Sequence, residues 1–290
     1  MIPPSVVVVV GASSGIGRAS ALRFAERGDH LVLAARSRSA LEDAAAECRA
    51  RGAATVEVAV ADVLDEVAVD AVVRVATSAR RHVDIVVYSA GVMGYGSVDA
   101  VPAEVFARVV DTAVHGTANV ARAALPVFRA QGTGTLIVIT SILASIPLPD
   151  MGAYITGKWG QLALARVLQL ETRSAPGIHV CTVSPGAVDT PIYRTAANYV
   201  GRVGSPPAPV ASADHIAAAV VRCADRPRRN VSVGWTNRPI LAGFRLVPAV
   251  FDVLAGPLMR RFALSKETVA PTSGNVLDTE SGNDRAAAGY

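Results

Sequence analysis

Short, almost wholly apolar runs alternate along this chain with alanine-rich stretches, and this alternation restricts the possible folds more than any other feature. Strands are predicted at 5–10, 30–35, 55–60, 83–88, 134–140 and 177–183, with a weaker one at 230–234. Helices are predicted between them at 15–27, 39–51, 65–81, 103–130, 151–175 and 212–225. Strands without polar alternation are buried on both faces, as in parallel sheets. We therefore expect an α/β fold, a doubly wound parallel sheet of about seven strands with helices on both faces.

The alternation runs without a linker, so we expect one domain over residues 1–237. Within it, residues 189–211 contain Gly, Pro and Tyr without periodicity, which is typical of a loop over a binding site. Residues 238–264 form an apolar extension, in which Pro248 and Pro257 are expected to interrupt the helix. Residues 265–290 are polar and rich in Gly, Ser, Asn and Asp, so a mostly disordered tail is expected.

Composition excludes several functional classes. The net charge is +4, but the basic residues are scattered and no basic run carries interleaved aromatics, which argues against nucleic-acid binding. The three cysteines are far apart, which argues against disulfides and zinc and suits a reducing compartment, so a cytoplasmic location is expected. No secretory signal or run of ~20 uncharged apolar residues is apparent.

A glycine-rich turn, GASSGIGR, follows the first predicted strand at residues 11–18. Its glycines are Gly11, Gly15 and Gly17, with Ser13, Ser14 and Ile16 between them. Gly11 permits a tight turn, and the other two let the backbone approach a pyrophosphate at the positive end of the following helix. Between the first strand and helix of a parallel sheet, such a turn predicts a Rossmann-like dinucleotide site.

The end of the second strand indicates which dinucleotide is used. NAD binders usually have an acid there, whereas this sequence reads LAARSR, with Arg36 and, two residues further, Arg38. An arginine attracts a 2′-phosphate and a carboxylate repels one. The sequence therefore favours NADP(H) over NAD(H).

The sequence AYITGKWG at residues 153–160 contains the candidate catalytic pair, Tyr154 and Lys158. Residues four apart share one helical face, and an ammonium near a phenol is expected to lower the phenol pKa from ~10 toward the working range. Only two of the 28 basic residues are lysines, Lys158 and Lys266. Ser141 follows the fifth predicted strand, where its hydroxyl can hydrogen-bond a substrate oxygen.

Together these motifs resemble the short-chain dehydrogenase/reductase family over residues 5–235. The matching segments are GASSGIG at 11–17, Asp62-Val63, SAG at 89–91, Ser141, YITGK at 154–158 and PGAVDT at 185–190. The resemblance implies a carbonyl–alcohol oxidoreductase without a metal, in which Tyr154 exchanges a proton with the substrate oxygen. It also implies dimers or tetramers.

The resemblance assigns further roles. It implies that Asp62 and Val63 flank the adenine and that Ala90 and Gly91 line the cofactor. Lys158 binds the nicotinamide ribose and tunes Tyr154, while Ser141 orients the carbonyl. The nicotinamide end is held by Pro185, Gly186, Val188 and Thr190.

One position departs from the family pattern. Members usually have an asparagine in the fourth helix, where it helps hold a water that links the lysine to solvent, and aligning Asp111 with Gly116 places Ala113 there. Three interpretations are open: a main-chain carbonyl freed by a helix kink holds the water, His115 or Asn119 substitutes, or proton supply is slow. We favour the first.

The sequence thus predicts an NADP(H)-dependent oxidoreductase acting on a small molecule that the apolar extension suggests is hydrophobic. The same extension is equally suited to packing on a subunit or a membrane surface. The competing hypothesis, favoured only by Ala113, is an NADP(H)-binding sensor or scaffold with little or no turnover. Small residues in helix 151–175, Gly152, Gly157 and Gly160, are expected to allow another helix to approach closely.

Overall fold

The computed structural model describes residues 3–278 and contains a seven-stranded sheet, all parallel, in the order β12-β7-β6-β4-β1-β2-β3. Its strands are β1 (Val6–Val10), β2 (His30–Ala35), β3 (Thr55–Val60), β4 (Ile85–Tyr88), β6 (Gly134–Ile139), β7 (Ile178–Pro185) and β12 (Asn230–Val233). Short strands lie outside it: β5 (Gly94–Tyr95), β8 (Val188–Asp189), β9 (Ala197–Asn198), β10 (Arg202–Gly204), β11 (Ala211–Ser212) and β13 (Leu264–Thr268).

Eight α-helices occur in the described part of the chain. They are α1 (Gly15–Glu26), α2 (Arg38–Ala50), α3 (Glu66–Arg80), α4 (Ala103–Gln131), α5 (Gly152–Glu171), α6 (Ala213–Asp225), α7 (Asn237–Leu246) and α8 (Pro248–Phe262). Two short 3₁₀ turns, Ile142–Ala144 and Pro191–Tyr193, follow β6 and β8. The predicted doubly wound α/β fold is therefore confirmed, with each main helix and strand within a few residues of its expected limits.

The sheet is buried on both sides, which explains its apolar strands. All five residues of β1 are buried, because α1, α2 and α6 cover one face of the sheet while α3, α4 and α5 cover the other. Alternate β1 residues contribute to two separate cores, Val7 and Val9 to one and Val6 and Val8 to the other. An apolar residue is thus required at every position of this strand.

The strand order reverses between β1 and β4, and ligands of open α/β sheets bind where the order reverses, beyond the carboxyl ends of the strands. β1 ends at the glycine-rich turn and β6 ends just before Ser141, so the sheet brings both sequence motifs to this one edge. The fold therefore places the predicted cofactor and catalytic residues on the same side of the molecule.

The helices α4 and α5 pack closely, so the helix that the α5 glycines were expected to admit is α4 of the same chain. A Cβ at Gly157 would lie 3.0 Å from the Cβ of Ala113, and one at Gly160 would lie 2.8 Å from Val114. Gly152 is likewise crowded by Val98. These glycines admit α4 and its neighbours in the same chain, so their small size is not an argument for contact with a second subunit.

The C-terminal region differs from its prediction in two respects. Pro257 does not interrupt α8, because a proline removes one hydrogen bond while Ala255 and Met259 keep the helix anchored in the protein. Residues 265–278 are ordered: β13 pairs antiparallel with β10, and Thr272 exchanges two main-chain hydrogen bonds with Asn198. Composition predicts disorder for them because these partners are distant in sequence. The remaining predicted tail, 279–290, lies outside the described residues.

The surface of α7 and α8 is unusually apolar. The side chains of Leu246 and Val253 are 79% and 72% exposed, and Trp235, just before α7, is 79% exposed. No helix in residues 3–278 is long and apolar enough to cross a membrane.

Candidate active site

The glycine-rich turn is built by contacts that exclude side chains. Gly11 has φ +88°, and a Cβ there would lie 2.5 Å from the main-chain nitrogen of Ala90. A Cβ at Gly17 would overlap the carbonyl oxygen of Gly11. The turn therefore packs directly against the SAG segment after β4, and α1 begins immediately behind it with its free N–H groups directed toward the cleft.

The glycine-rich turn also lies close to the segment that follows β7. A Cβ at Gly15 would lie 3.2 Å from the methyl group of Thr190, so the segment after β7 lies against the phosphate turn. Thr190 is buried. The turn and the PGAVDT segment are therefore neighbours along the cleft.

Arg36 and Asp62 lie at the far end of the cleft, beyond β2 and β3. The carboxylate of Asp62 pairs with Arg108 of α4 and accepts a hydrogen bond from the Leu64 N–H. Burial alone raises the pKa of Asp62, but these hydrogen bonds outweigh it and the pKa is lowered. Asp62 is therefore ionised at neutral pH. Burial lowers the pKa of Arg36, and the negative charge of Asp62 partly offsets this lowering.

The candidate catalytic residues lie at the opposite end. Ser141 caps the 3₁₀ turn after β6, its Oγ accepting a hydrogen bond of 3.1 Å from the Leu143 N–H. Tyr154 and Lys158 lie one turn apart on α5, with the ammonium 5.7 Å from the phenol ring centre. All three residues are buried. A carbonyl oxygen placed between Ser141 and Tyr154 would have two hydroxyl donors in a water-poor site.

The pKa values correct one expectation. Burial raises the pKa of Tyr154 to about 12, although a hydrogen bond with Ser141 acts in the opposite direction. Burial also lowers the pKa of Lys158 to about 8. The expected lowering of the phenol pKa by the ammonium is therefore wrong for this arrangement, because the ammonium faces the ring and the loss of hydration disfavours the phenolate more.

A single cavity of about 280 Å³ connects the two ends. All but one of the residues predicted for the site line it, the exception being Gly17, which is covered by Gly11. The lining residues among those predicted are Gly11, Ser13, Ser14, Gly15, Ile16, Arg36, Asp62, Val63, Ala90, Gly91, Ser141, Tyr154, Lys158, Pro185, Gly186, Val188 and Thr190. The structure thus brings together motifs that are far apart in the chain, from Gly11 to Thr190.

Other lining residues were not found from the sequence. Arg108 and Asn275 lie near the Arg36 end, and Leu148, Met151 and Ile192 form an apolar wall near Tyr154. These residues belong to no motif. Only the three-dimensional fold shows that they face the cavity.

The surroundings of Ala113 exclude one of the three interpretations. His115 is exposed and pairs with Asp111, and Asn119 donates to the carbonyl of Val63. Neither substitutes for the family asparagine.

A buried chain of hydrogen bonds connects Lys158 to Ala113 instead. The ammonium donates to Gln161 Oε1 at 2.9 Å, Gln161 Nε2 donates to Thr117 Oγ1 at 2.9 Å, and Thr117 Oγ1 donates to the Ala113 carbonyl at 2.7 Å. A second N–H of Lys158 donates to the carbonyl of Ile139 at 3.0 Å.

Comparison with known proteins finds consistent relatives in sequence and in fold. The family model described as short chain dehydrogenase matches residues 5–199. A sepiapterin reductase of Chlorobaculum tepidum is 31% identical over 241 residues, covering 81% of this chain and 96% of that protein. An alcohol dehydrogenase of Thermococcus sibiricus, solved in complex with 5-hydroxy-NADP, has a TM-score of 0.68 and 29% identity over 79% of this chain and 94% of its own. A short-chain dehydrogenase of Streptomyces avermitilis has a TM-score of 0.73 and 26% identity over 87% of this chain and 96% of its own.

Fold, cleft and relatives together define an oxidoreductase of the kind that uses a nicotinamide dinucleotide. The chain belongs to the short-chain dehydrogenase/reductase family. Its cleft fits such a cofactor, because one cavity is lined by the glycine-rich turn at the N-terminus of α1 and also by Lys158 and Thr190. The residues that would hold it are the turn and α1 N-terminus at the phosphates, and Lys158 and Thr190 at the nicotinamide end.

Proposed function

We propose that this oxidoreductase uses NADPH to reduce a ketone or aldehyde to an alcohol. In the reverse direction it would oxidise the alcohol with NADP⁺. The observation that carries the proposal is the buried grouping of Ser141, Tyr154 and Lys158 in the same cavity that the glycine-rich turn lines. A protein that only binds a dinucleotide needs no acid at this place.

The proposed roles follow from the positions of the polar groups. Ser141 and Tyr154 hold the carbonyl oxygen by hydrogen bonds, and the phenol O–H transfers its proton to that oxygen as the C–O double bond is reduced. A bound NADPH would supply the hydride that the carbonyl carbon requires. Lys158 holds the ribose hydroxyls with the N–H that is not used by Ile139 and Gln161.

The raised pKa of Tyr154 determines which form of its side chain is present at neutral pH. A phenol with a pKa of about 12 is protonated throughout the neutral range and is therefore ready to act as an acid. Oxidation of an alcohol would need the phenolate, which is scarce below that pH. We therefore expect carbonyl reduction to use the protonated form of Tyr154 at pH 7, and alcohol oxidation to become faster as the pH rises.

The preference for NADP(H) rests on Arg36. Its guanidinium lies at the end of β2 and lines the cavity where an adenosine ribose is expected. The solved Thermococcus relative contains an NADP derivative, which supports the same choice. An ionised acid, Asp62, is also near, but it is paired with Arg108.

We propose a lipophilic substrate because the wall near Tyr154 is apolar. The apolar side chains lining this part of the cavity are Val92, Met93, Leu143, Leu148, Met151, Pro191, Ile192 and Tyr193. A hydrophobic ketone or aldehyde gains about 25 cal/mol for each Å² of apolar surface removed from water there. The polar carbonyl would be the only group that needs hydrogen-bond donors.

We also propose a homodimer or homotetramer formed through the outer face of α5. Trp159, Val167 and Leu170 are exposed there, at 44%, 47% and 53%. The apolar surface of α7 and α8, flanked by Arg238, Arg245 and Arg260, fits either a membrane surface or a subunit contact.

Three free, buried cysteines support a cytoplasmic location.

The alternative function is an NADP(H)-binding sensor or scaffold with weak or no turnover, which Ala113 favours. NADPH consumption with a panel of hydrophobic ketones and aldehydes separates the two hypotheses. The enzyme hypothesis predicts turnover that Tyr154→Phe abolishes while NADPH binding is retained. Binding without turnover, in wild type and variant alike, would support the alternative.

A further inference from the structure

The polar chain between Lys158 and Ala113 is unusual because every member of it is buried. Gln161 and Thr117 have no exposed surface, and Lys158 and Ala113 are 5% and 6% exposed. A buried polar side chain without partners is strongly destabilising, so such groups persist where their hydrogen bonds are complete. Here the donors and acceptors match one another along the whole path.

Each hydrogen bond in this chain determines the orientation of the next polar group. Thr117 uses its only hydroxyl hydrogen on the Ala113 carbonyl, so its oxygen accepts from the amide nitrogen of Gln161. That contact determines which end of the Gln161 amide faces Lys158, namely the oxygen. A carbonyl oxygen favours the charged form of the lysine, and an amide N–H would repel it.

We propose that Gln161 and Thr117 are positioning residues for Lys158, and that they tie its ammonium to the main chain of α4 at Ala113, the position where the family usually has an asparagine. This inference rests on the proposed function, since Lys158 matters only if it binds the cofactor and acts near Tyr154. Neither residue touches the reacting atoms. They act by holding the ammonium against the carbonyl of Ile139 with one N–H left for the cleft.

The protein offers a direct test, because it has only two lysines and Lys266 is exposed. In protein labelled with ¹³C-lysine, the side-chain signals of Lys158 and Lys266 report their pKa values separately and need no substrate. Burial lowers the pKa of Lys158, and no charged group among the described residues adds to this effect. Tyr154 is the titratable side chain beside it on α5.

We expect Gln161→Glu to raise the pKa of Lys158 by one unit or more, because it places a carboxylate at hydrogen-bond distance. Gln161→Met should lower that pKa, and Thr117→Val should lower it by releasing the Gln161 amide. The matched control is Gln169→Met, two turns along α5, where another buried glutamine donates to the carbonyl of Arg229. It should leave the Lys158 signal unchanged.

In turnover assays, the same variants should raise the KM for NADPH and shift the alkaline limb of the rate profile in the direction of the pKa change. Unchanged Lys158 titration in all three variants would overturn the inference. If the titration shifts but no carbonyl compound is reduced by the wild type, the positioning role stands and the proposed function fails. Circular dichroism confirms that each variant is folded.

A second observation concerns residues 272–278, which we name the C-terminal strap. The Asn275 N–H donates to the carbonyl of Thr195 at 2.9 Å, and Val276 is completely buried among apolar residues near Tyr154. On the other side, the Arg36 guanidinium donates to the carbonyls of Asn275 and Val276 at 2.6 and 3.3 Å. The strap therefore spans the cleft from the segment after β8 to the end of β2.

The side chain of Asn275 lines the cavity, and its Oδ1 is buried without a hydrogen-bond partner among the described residues. Such an acceptor is costly to leave unpaired. Arg36 has five N–H donors, and the strap carbonyls take two. Those two bonds orient the guanidinium, and an anion at its remaining donors would compete with the nearby carboxylates of Asp62 and Asp278.

The geometry points to the C-terminal strap as part of the dinucleotide site, with Asn275 as an additional cofactor contact and with the strap holding Arg36 in place for a 2′-phosphate. This inference also rests on the proposed function, specifically on the use of NADP(H). It predicts that detaching the strap weakens the binding of NADPH more than that of NADH.

Gly274 provides the perturbation, because a Cβ there would overlap the carbonyl of Thr195. Its matched control is Gly201, which also has positive φ but where an added Cβ would have nothing within 4 Å. By fluorescence titration in the full-length protein, Gly274→Ala should raise the Kd for NADPH roughly tenfold, the loss expected for a displaced charge-assisted contact. Gly201→Ala should not.

Equal Kd values for wild type and Gly274→Ala, or tighter NADPH binding in the variant, would overturn the role of the strap. The variant Arg36→Ala distinguishes failure of the strap inference from failure of the proposed preference for NADP(H). If the wild type does not prefer NADPH and Arg36→Ala changes nothing, the preference itself is wrong. If Arg36→Ala removes a preference that Gly274→Ala leaves intact, only the strap inference fails.

Discussion

The pH dependence of carbonyl reduction follows from two buried groups with very different pKa values. Tyr154, with a pKa of about 12, remains a proton donor across the whole accessible range. Lys158, with a pKa of about 8, loses its ammonium within that range. We therefore expect kcat/KM for NADPH-dependent reduction to be constant below pH 7 and to fall above pH 8.

The magnitude follows from the fraction of Lys158 that remains charged. One pH unit above its pKa, about a tenth of the lysine is an ammonium, so the rate should drop roughly tenfold for each further unit. The assay is NADPH consumption from pH 6 to pH 10 with the best carbonyl substrate of a hydrophobic panel. Lys158→Met should be slow throughout and should lack the alkaline limb.

A rate that rises between pH 7 and pH 10 would refute this reasoning, because it would show that a phenolate rather than a phenol is needed. A flat profile to pH 10 would show that burial does not lower the pKa of Lys158 in solution. The ¹³C-lysine titration of the free protein measures the pKa of Lys158 directly and therefore checks the explanation of a flat profile.

Further predictions concern stability, cofactor choice and the surface. Between pH 8 and pH 10.5 the unfolded chain holds a proton that folded Lys158 has lost, so stability rises with pH in that window. The shift corresponds to about 3 kcal/mol of unfavourable charge burial at neutral pH, and Lys158→Met should therefore melt no lower than wild type at pH 7 in scanning calorimetry. Arg36→Ala should raise the KM for NADPH about tenfold or more with little change for NADH, whereas Arg38→Ala, an exposed residue paired with Glu42, should change neither. Ala113→Asn should change kcat by less than about tenfold, ~1.4 kcal/mol of barrier, and a gain of several hundredfold would show the wild type to be a damaged catalyst. Full-length protein should float with anionic vesicles more than a variant with Leu246→Ser and Val253→Ser, and equal flotation would exclude membrane contact through α7 and α8.

The sequence was sufficient to predict the sheet because its signals are local. A run such as Val6–Val10 is apolar at every position, and only a strand covered on both faces requires this. The positions of Gly11, Ser141 and Tyr154 in the site follow from the same cause, since each comes directly after a predicted strand or begins a predicted helix.

The remaining features depend on contacts between distant segments. Gln161 meets Thr117 because α4 and α5 pack closely at Gly157, and helical spacing on one element does not fix the register of two. Composition predicts disorder for the strap because it is polar, yet Val276 is buried and Arg36 is its partner. The expected pKa of Tyr154 is wrong because the degree of burial cannot be obtained from spacing.

The central claim, that this chain reduces a carbonyl by proton transfer from Tyr154, is tested most directly with NADPH deuterated at nicotinamide C4. In incubations with hydrophobic ketones and aldehydes, mass spectrometry should find deuterium on the carbinol carbon of the product alcohol. Tyr154→Phe should bind NADPH as tightly as wild type and form at least about a hundredfold less labelled alcohol, in the range for loss of a general acid. Equal labelling by wild type and Tyr154→Phe, or tight NADPH binding with no labelled alcohol from any compound, would contradict the account.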